Sequence, residues 1–442
     1  MLTSPQAKLD GDDMSPNQRI TPDLELGSVS DDVLFVAGSD LFNRLNQPSQ
    51  HMPYHLATHF KHLDLVGYLR FYDGPSAPAW KRITQGMQAV IFHRINICEE
   101  GNIRTITARR LRLPGSLDLM LQDIWMCMIL RPYLNRHYHV AIVDGPESAF
   151  LAWWLKKTGR VQHLIYYDID YYPAVHPHWS GLLSQRERMC CKLADAVASV
   201  SRPLAALREQ QGAKPAVVVP NGVEFSRFYS ANLLRKEHSP TLVYAGSLDM
   251  RWGIDLPIRA MPLLLQKFPD IQLIIAGRGQ AEQELHQLVI SLGIQKHVRF
   301  EGFVSYPDLP ALLALADIGI ATSRQNDFRK YASPLKLVEY MAAGLPVICS
   351  GGGEAEKMIE ESGAGVNIPF EAEAFADAVR LLLATPGALS SYREAAIHYA
   401  RGRSWEQMGS LMAQLVSRVT GATDHSCITL PVSDNKGGSC HI

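Results

Sequence analysis

Short apolar runs that stop at glycine, serine or aspartate alternate along most of this chain with longer stretches whose apolar residues recur at helical spacing. In the second half, residues 241–245, 272–276, 298–301, 318–321, 347–349 and 365–368 read as strands, with helices expected near 256–268, 282–292, 309–316 and 334–343. Strand and helix alternating at this interval predict a parallel sheet covered by helices on both faces. Ligands of such sheets bind beyond the carboxyl ends of the strands, so the residues there are the first candidates for chemistry.

The first half has the same rhythm with less regularity. Strands are expected at 33–37, 63–69 and 89–93, then a hairpin over 94–109 turning at Glu100, Gly101 and Asn102. A helix over 117–135 with Trp125 and three methionines follows, suited to a core or a partner face. Further strands at 140–143, 164–167, 196–200 and 217–219 end in Asp144-Gly145-Pro146, Asp168-Ile169-Asp170, Ser201-Arg202-Pro203 and Pro220-Asn221-Gly222. After 371–400, which read as helical, Ser404 and Gln407 form a capping box before an amphipathic stripe from Trp405 to Val419. The expected division is a polar tail (1–30), a first domain (31–232), a second domain (233–402), a terminal helix (403–420) and a second tail (421–442).

Composition narrows the class. A chain of 442 residues, 47% hydrophobic and 20% charged, suits two α/β domains with sizeable cores. Its net charge of −1 supplies no global field to recruit nucleic acid or membrane, so an anion site has to be local. Seven cysteines at 98, 127, 190, 191, 349, 427 and 440 are scattered without a C-x-x-C, as expected of reduced thiols in a cytoplasmic protein. The N-terminus lacks the apolar core of a signal peptide, and the most apolar run, 124–130, is far short of the roughly 20 residues that span a bilayer. Trp153, Trp154, Lys156 and Lys157 on one helix suit either a membrane surface or core packing with the lysine heads in water.

The densest chemistry lies in 333–348, SPLKLVEYMAAGLPVI. Ser333 is read as the N-cap, Pro334 as the first helical residue and Gly344 as the stop. Lys336 then falls in the first turn, where the helix dipole disfavours a cation and an anion would remove the conflict. Free amides at Leu335 and Lys336 together with the lysine make a phosphate site. Glu339 lies about 40° around the helix from Leu335, placed to hold a sugar or ribose diol. The alternative is a surface Lys336/Glu339 pair worth a few tenths of a kcal/mol.

Other candidates sit at strand ends. Gly246-Ser247-Leu248, Gly277-Arg278-Gly279 and Gly302-Phe303-Val304 permit close backbone approach, with Arg251 and Arg278 as cations and Phe303 as a platform for a base. His51, His55, His59 and His62 share a helical face, read as a histidine-rich surface with a metal pair at His55 and His59 as the lesser alternative. Asp168 and Asp170 make a D-x-D, a pattern that resembles the metal-binding carboxylates of one fold of glycosyltransferases.

Taken in order, YAGSL (244–248), LIIAGRG (273–279), VRFEGFV (298–304), ADIGIATS (316–323) and SPLKLVEYMAAGLPVI resemble the donor domain of family 4 glycosyltransferases. The resemblance covers most of 215–420, entered through VVVPNGVEFSRF, and the helix has the SPLK form of one branch of that family. It implies the GT-B architecture, an α/β fold of two Rossmann-like, doubly wound domains facing across a cleft. It implies a retaining transfer of a sugar from a nucleoside-diphosphate-sugar to an acceptor hydroxyl, with no metal or other cofactor if Lys336 and the helix stabilise the departing diphosphate. By the same resemblance Ser333, Leu335 and Lys336 meet the diphosphate, Glu339 the ribose, Phe303 and Val304 the base, and Gly246, Ser247, Arg251 and Arg278 the remainder of the donor. The terminal helix is expected to cross back onto the first domain.

The chain also departs from the family pattern. Tyr331 stands where a second glutamate is usual, and Ser247 and Trp252 where an arginine and a lysine are usual. Lys336, Arg251, Arg278 or Arg324 are the candidate replacements. In the first domain Asp168 stands at the position of a frequent histidine, and with Lys336 is the expected catalytic pair. The acceptor implied is a bacterial envelope or exopolysaccharide glycan, or a lipid-linked one, met in the cytoplasm at the inner membrane face. The alternative is a non-catalytic subunit that binds a sugar nucleotide; a sugar-nucleotide epimerase and a metal-dependent transferase using Asp168 and Asp170 are further alternatives.

Overall fold

The computed structural model describes residues 32–40, 48–69, 84, 95–109, 116–134, 136–175, 177–233, 239–325 and 327–421. A first sheet holds β1 (Asp32–Asp40), β2 (His62–Leu69), β3 (Asn96–Glu100), β4 (Ile103–Arg109), β5 (Tyr138–Asp144), β6 (Val161–Asp168), β7 (Ala196–Ser199) and β8 (Ala216–Val218). Its order is β3-β4-β2-β1-β5-β6-β7-β8, parallel except for the β3–β4 hairpin. A second sheet holds β9 (Thr241–Ala245), β10 (Gln272–Ala276), β11 (Val298–Gly302), β12 (Ile318–Ala321), β13 (Val347–Cys349) and β14 (Gly365–Asn367). Its order, β11-β10-β9-β12-β13-β14, is parallel throughout. Strand order reverses between β1 and β5 in one sheet and between β9 and β12 in the other, and each reversal opens a crevice at the strand carboxyl ends.

The apolar runs are continuous because both sheet faces are covered. Val33, Phe35 and Ala37 of β1 enter one cluster, while Leu34 and Val36 enter another on the opposite face. In the second sheet Leu242 and Tyr244 face one cluster and Val243 the other. Period-two alternation thus survives as a choice between two cores.

The helix expected over 117–135 is Ser116–Leu130 and stops ahead of Pro132, which restricts the residue before it. The stretch 371–400 is two helices, Ala372–Ala384 and Ala388–Arg401, broken at Pro386-Gly387 with Gly387 at φ 77°. The strand expected at 89–93, residues 234–238 and all of both tails except Gly421 lie outside the described residues. Trp154 packs in the first domain with Arg160 over its ring, and Lys156 pairs with Asp195 at 2.6 Å, so that face favours core packing. Among the described residues no helix is long and apolar enough to cross a membrane.

The helix Trp405–Thr420 starts at Ser404, whose side chain accepts from the Gln407 amide, and buries Trp405, Met408, Met412, Leu415 and Val416 in the first domain's core. It lies along the helix Pro48–Ala57, and the histidine face is the seam. His51 stacks on Trp405 at 5.2 Å, His55 faces Glu406 at 3.9 Å, and His59 Nε2 lies 3.2 Å from the Ser410 hydroxyl. These separate engagements leave the metal alternative without support. Among the described residues no three His, Cys, Asp or Glu side chains are grouped to hold a metal ion.

Two predictions follow from the seam. A Cβ at Gly409 would stand 2.9 Å from the His55 carbonyl carbon, so Gly409→Ala is expected to cost about 1–3 kcal/mol in urea unfolding, despite its higher helix propensity. Burial lowers the His51 pKa to about 4 against the pull of Glu224. The unfolded chain therefore takes up a proton that the folded one refuses. This contribution is present above pH 6.5 and is lost as pH falls toward 4, on the order of 3 kcal/mol. His51→Phe should flatten that component when urea midpoints are compared at pH 7.5 and 5.

Candidate functional site

The crevice of the second sheet is built from the ends of β9, β10 and β11, which are tied together. Gly246 N–H donates to Ala276 O at 2.9 Å, and Gly277 N–H to Gly302 O at 2.6 Å. Gly246, at φ 152°, holds a backbone conformation that favours glycine, and Lys336 Nζ would lie 2.8 Å from a Cβ placed there. Facing this loop is the helix Leu335–Ala342. Tyr340 on that helix accepts from the Ala245 amide at 2.7 Å, which fixes the helix to the end of β9 and sets Lys336 one turn earlier, against the loop.

The helix begins one residue later than expected. Pro334, extended at ψ 118°, is the cap residue, and no side chain caps the end. Ser333 is buried and gives its carbonyl instead to Asn221 Nδ2 of the first domain at 2.7 Å. Leu337 N–H donates to Pro334 O at 3.2 Å, and the amides of Leu335 and Lys336 come too early in the helix to have an intrahelical acceptor. Leu335 turns its side chain to the first domain's core, leaving its backbone as the part available to a ligand.

Lys336 is the central charge. Its Nζ lies 4.3 Å from the Tyr244 ring centroid, 3.3 Å from the Tyr244 hydroxyl and 5.6 Å from the Trp252 ring centroid. No carboxylate lies within ion-pair distance of it among the described residues. Burial, with the Arg329 charge adding to it and Glu339 opposing, pulls its pKa down to about 7. Glu339 is buried and acts electrostatically on both Lys336 and the Tyr306 hydroxyl.

The other candidate cations differ in availability. Arg324 grips Asp255 with two bonds of 2.8 and 2.9 Å and lies over Phe370 at 4.6 Å, so it serves the domain's structure. Arg251 pairs with Asp249 at 3.1 Å yet remains exposed. Arg278 is exposed beside Gly302, Ser247 is exposed, and Phe303 is 45% exposed next to the half-buried Val304. Arg329, which the sequence reading passed over, is buried with Nη2 donating to Ala321 O at 3.2 Å, and its charge reaches Lys336 and Tyr244. Only its contacts reveal it, because an arginine in the short helix Asp327–Tyr331 carries no spacing signal.

The first domain meets this site at the segment preceding the helix. Ser201 Oγ donates to Tyr331 O at 2.6 Å, and the Tyr171 and Tyr331 rings lie 4.8 Å apart. Tyr331, standing where a carboxylate was expected, is thus part of the contact between domains. Asp168 is not brought to the cleft. Both its oxygens are bound by Arg208, at 2.7 and 2.9 Å, Ser199 donates to it, and Arg208 also holds Glu187 at 2.7 Å. All three ionic groups are completely buried, so the expectation of a catalytic Asp168 is corrected to a structural one.

Two Rossmann-like sheets facing one another, with a lysine-bearing helix at the second crevice, define the GT-B fold of glycosyltransferases. Solved structures share it: sucrose-phosphate synthase from Thermosynechococcus elongatus (TM-score 0.69, 18% identity, covering 89% of this chain and 100% of that one), and HepE from Anabaena in complex with UDP and glucose (TM-score 0.62, 19% identity, 87% and 99%). Residues 226–403 match the family model of "Glycosyl transferases group 1". The chain is 29% identical over 211 residues to the GDP-mannose-dependent alpha-(1-6)-phosphatidylinositol monomannoside mannosyltransferase of Mycolicibacterium smegmatis, covering 45% of this chain and 55% of that protein. It is 28% identical over 148 residues to the alpha-D-kanosaminyltransferase of Streptomyces kanamyceticus, covering 33% and 37%. The chain thus spans about half the length, or less, of these curated relatives.

Removing Arg208 would leave two carboxylates buried without a cation. Arg208→Ala is expected to destabilise the protein by about 3–5 kcal/mol, read from thermal or urea unfolding, whereas Asp168 and Glu187 replaced together with it by apolar residues should recover much of that loss.

Proposed function

We propose that the protein is a retaining glycosyltransferase that moves a sugar from a nucleoside-diphosphate-sugar to an acceptor hydroxyl. The observation that carries this reading is Lys336, a cation held by two aromatic rings at a helix amino end, without a carboxylate partner among the described residues, facing the Gly246 loop. Breaking the anomeric bond builds negative charge on the departing diphosphate. A lysine and free helix amides aimed at that place stabilise the transition state more than the bound donor. Lys336 also stands against Trp252, where the family pattern puts a lysine, so the charge reaches the same place from the helix instead of from the loop.

In this reading Glu339 holds the ribose, Phe303 and Val304 border the base, and Gly246, Ser247, Arg251 and Arg278 line the rest of the donor. Arg329 adds positive potential from behind Lys336. The transfer needs no metal ion, and its acceptor is a glycan or lipid-linked glycan of a bacterial envelope or exopolysaccharide, met at the inner face of the membrane. The name of one relative specifies a phosphatidylinositol monomannoside acceptor and that of the other only the kanosaminyl group transferred, which supports glycosyl transfer without choosing an acceptor for this chain.

The test is nucleotide release from a panel of UDP-, GDP- and ADP-sugars, with and without EDTA. One donor should be turned over equally in both conditions. Lys336→Ala is expected to lower kcat/KM about a hundredfold or more, and Glu339→Ala to raise the donor KM about tenfold. Saturable nucleotide binding without release under any condition would instead identify a non-catalytic subunit. Because the free lysine titrates near 7 and the diphosphate selects its charged form, donor affinity should fall as pH rises through 7. Lys336→Arg, which stays charged, should abolish that slope in a binding titration from pH 6 to 9.

A further inference from the structure

The crevice of the first sheet, between β1 and β5, contains polar groups that the structural core does not use. Asp144 closes β5, is completely buried, and neither of its oxygens has a hydrogen-bond partner. The Ser49 hydroxyl and the Gly38 amide are the groups beside it that favour its charged form, against the larger effect of burial. Its register partner on β6, Tyr167, has a buried hydroxyl that is also unsatisfied. Buried polar atoms are seldom left so, and several together mark a place that water or a ligand fills.

Asp170 lies two residues beyond the end of β6, half-buried, and no hydrogen bond or ion pair holds its carboxylate among the described residues. The next residue, Tyr171, rests on Tyr331 of the second domain, five positions before Lys336, so the Asp170 loop stands across the cleft from the donor helix. The pair Asp168 and Asp170 thus divides: one carboxylate is locked to Arg208, and the other is left for a ligand.

We infer that Asp170, backed by Asp144, is the acceptor-binding carboxylate, and that it selects acceptors presenting a neutral hydroxyl or an ammonium there while refusing a phosphate. This rests on the glycosyl-transfer reading and specifies its acceptor side. The charges that act on the two carboxyls are all negative: Glu147 and Asp170 on Asp144, and Asp168 on Asp170. Burial and this company push Asp144 up to about 8 and Asp170 up to about 7, so near neutral pH the crevice both donates and accepts hydrogen bonds, as a sugar's hydroxyls require. A phosphate placed among these groups meets carboxyls of like charge, and Arg208 is taken up by Asp168 and Glu187.

The experiment is a titration of three probes built on one sugar, methyl α-glucoside, glucosamine and glucose 6-phosphate, each with nucleoside diphosphate saturating, read by calorimetry or saturation-transfer NMR. The wild type should bind the first two and bind the phosphate at least about tenfold more weakly. Asp170→Asn should weaken glucosamine about tenfold and bring the phosphate to within about threefold of it, while Asp170→Glu keeps the wild-type order. Thermal melting of both variants shows that they are folded. Equal affinity for the three probes, tighter binding of the phosphate, or binding of none overturns the assignment. So does an Asp170→Asn variant that leaves the ranking intact. Donor turnover is measured separately: turnover without the ranking removes only the acceptor assignment, and the ranking without turnover removes only the transfer.

Discussion

The relation between the two sheets depends on one crossing, where the chain leaves the first domain at Val223 and returns at Ser404. The two passes run side by side: Val223 N–H donates to Arg403 O at 3.0 Å, and Trp405 N–H donates to Val223 O at 3.1 Å. Trp405 then enters the first domain's core completely buried, and Gly222 has no side chain because that ring and backbone occupy the space. A domain held only by a single linker would be free to turn. Here the second domain is tied at both its ends to the first, and the terminal helix contributes apolar area to a core that is not its own.

That crossing also explains how residues distant in sequence come to serve the donor helix. Asn221 and Ser201 of the first domain bond the carbonyls of Ser333 and Tyr331, immediately before the helix amino end. Ser201 is at the same time the N-cap of the helix Arg202–Gln210, which carries Arg208. One path of hydrogen bonds therefore joins the buried ionic triad of the first domain to the entrance of the second domain's anion site. Helix position and cleft geometry are set by the same contacts.

Most of the fold was legible because strands buried on both faces are plain apolar runs, and because glycines mark where the chain turns above them. All six strands of the second sheet fall within a residue of the sequence reading. The helix from Pro334 onward was legible too, with the wrong cap: the rule favouring serine at a helix start could not know that Ser333 is needed by Asn221. The histidine face was visible as a face, but its purpose lay in a helix 350 residues away, His59 meeting Ser410. Asp168 was misread for a related reason. A carboxylate at a strand end resembles a functional one until its partner is known, and Arg208 lies 40 residues on, with no periodicity linking the two.

The two crevices differ in charge in a way that suits their separate roles. On one side burial lowers the pKa of Lys336, and the charge of Arg329 adds to it. On the other, Asp144 and Asp170 are carboxyls pushed the opposite way, first by burial and then by neighbouring carboxylates, Glu147 and Asp170 on Asp144 and Asp168 on Asp170. Each side is electrostatically unsettled alone, and each is relieved by a ligand of complementary character: an anion at the lysine, a hydrogen-bond donor or cation at the carboxyls. In the proposed transfer, a sugar between them would become electron-poor at its anomeric carbon as the diphosphate leaves. Cations on the side of the departing group and carboxyls on the other would give the direction of field that favours bond breaking toward the second domain.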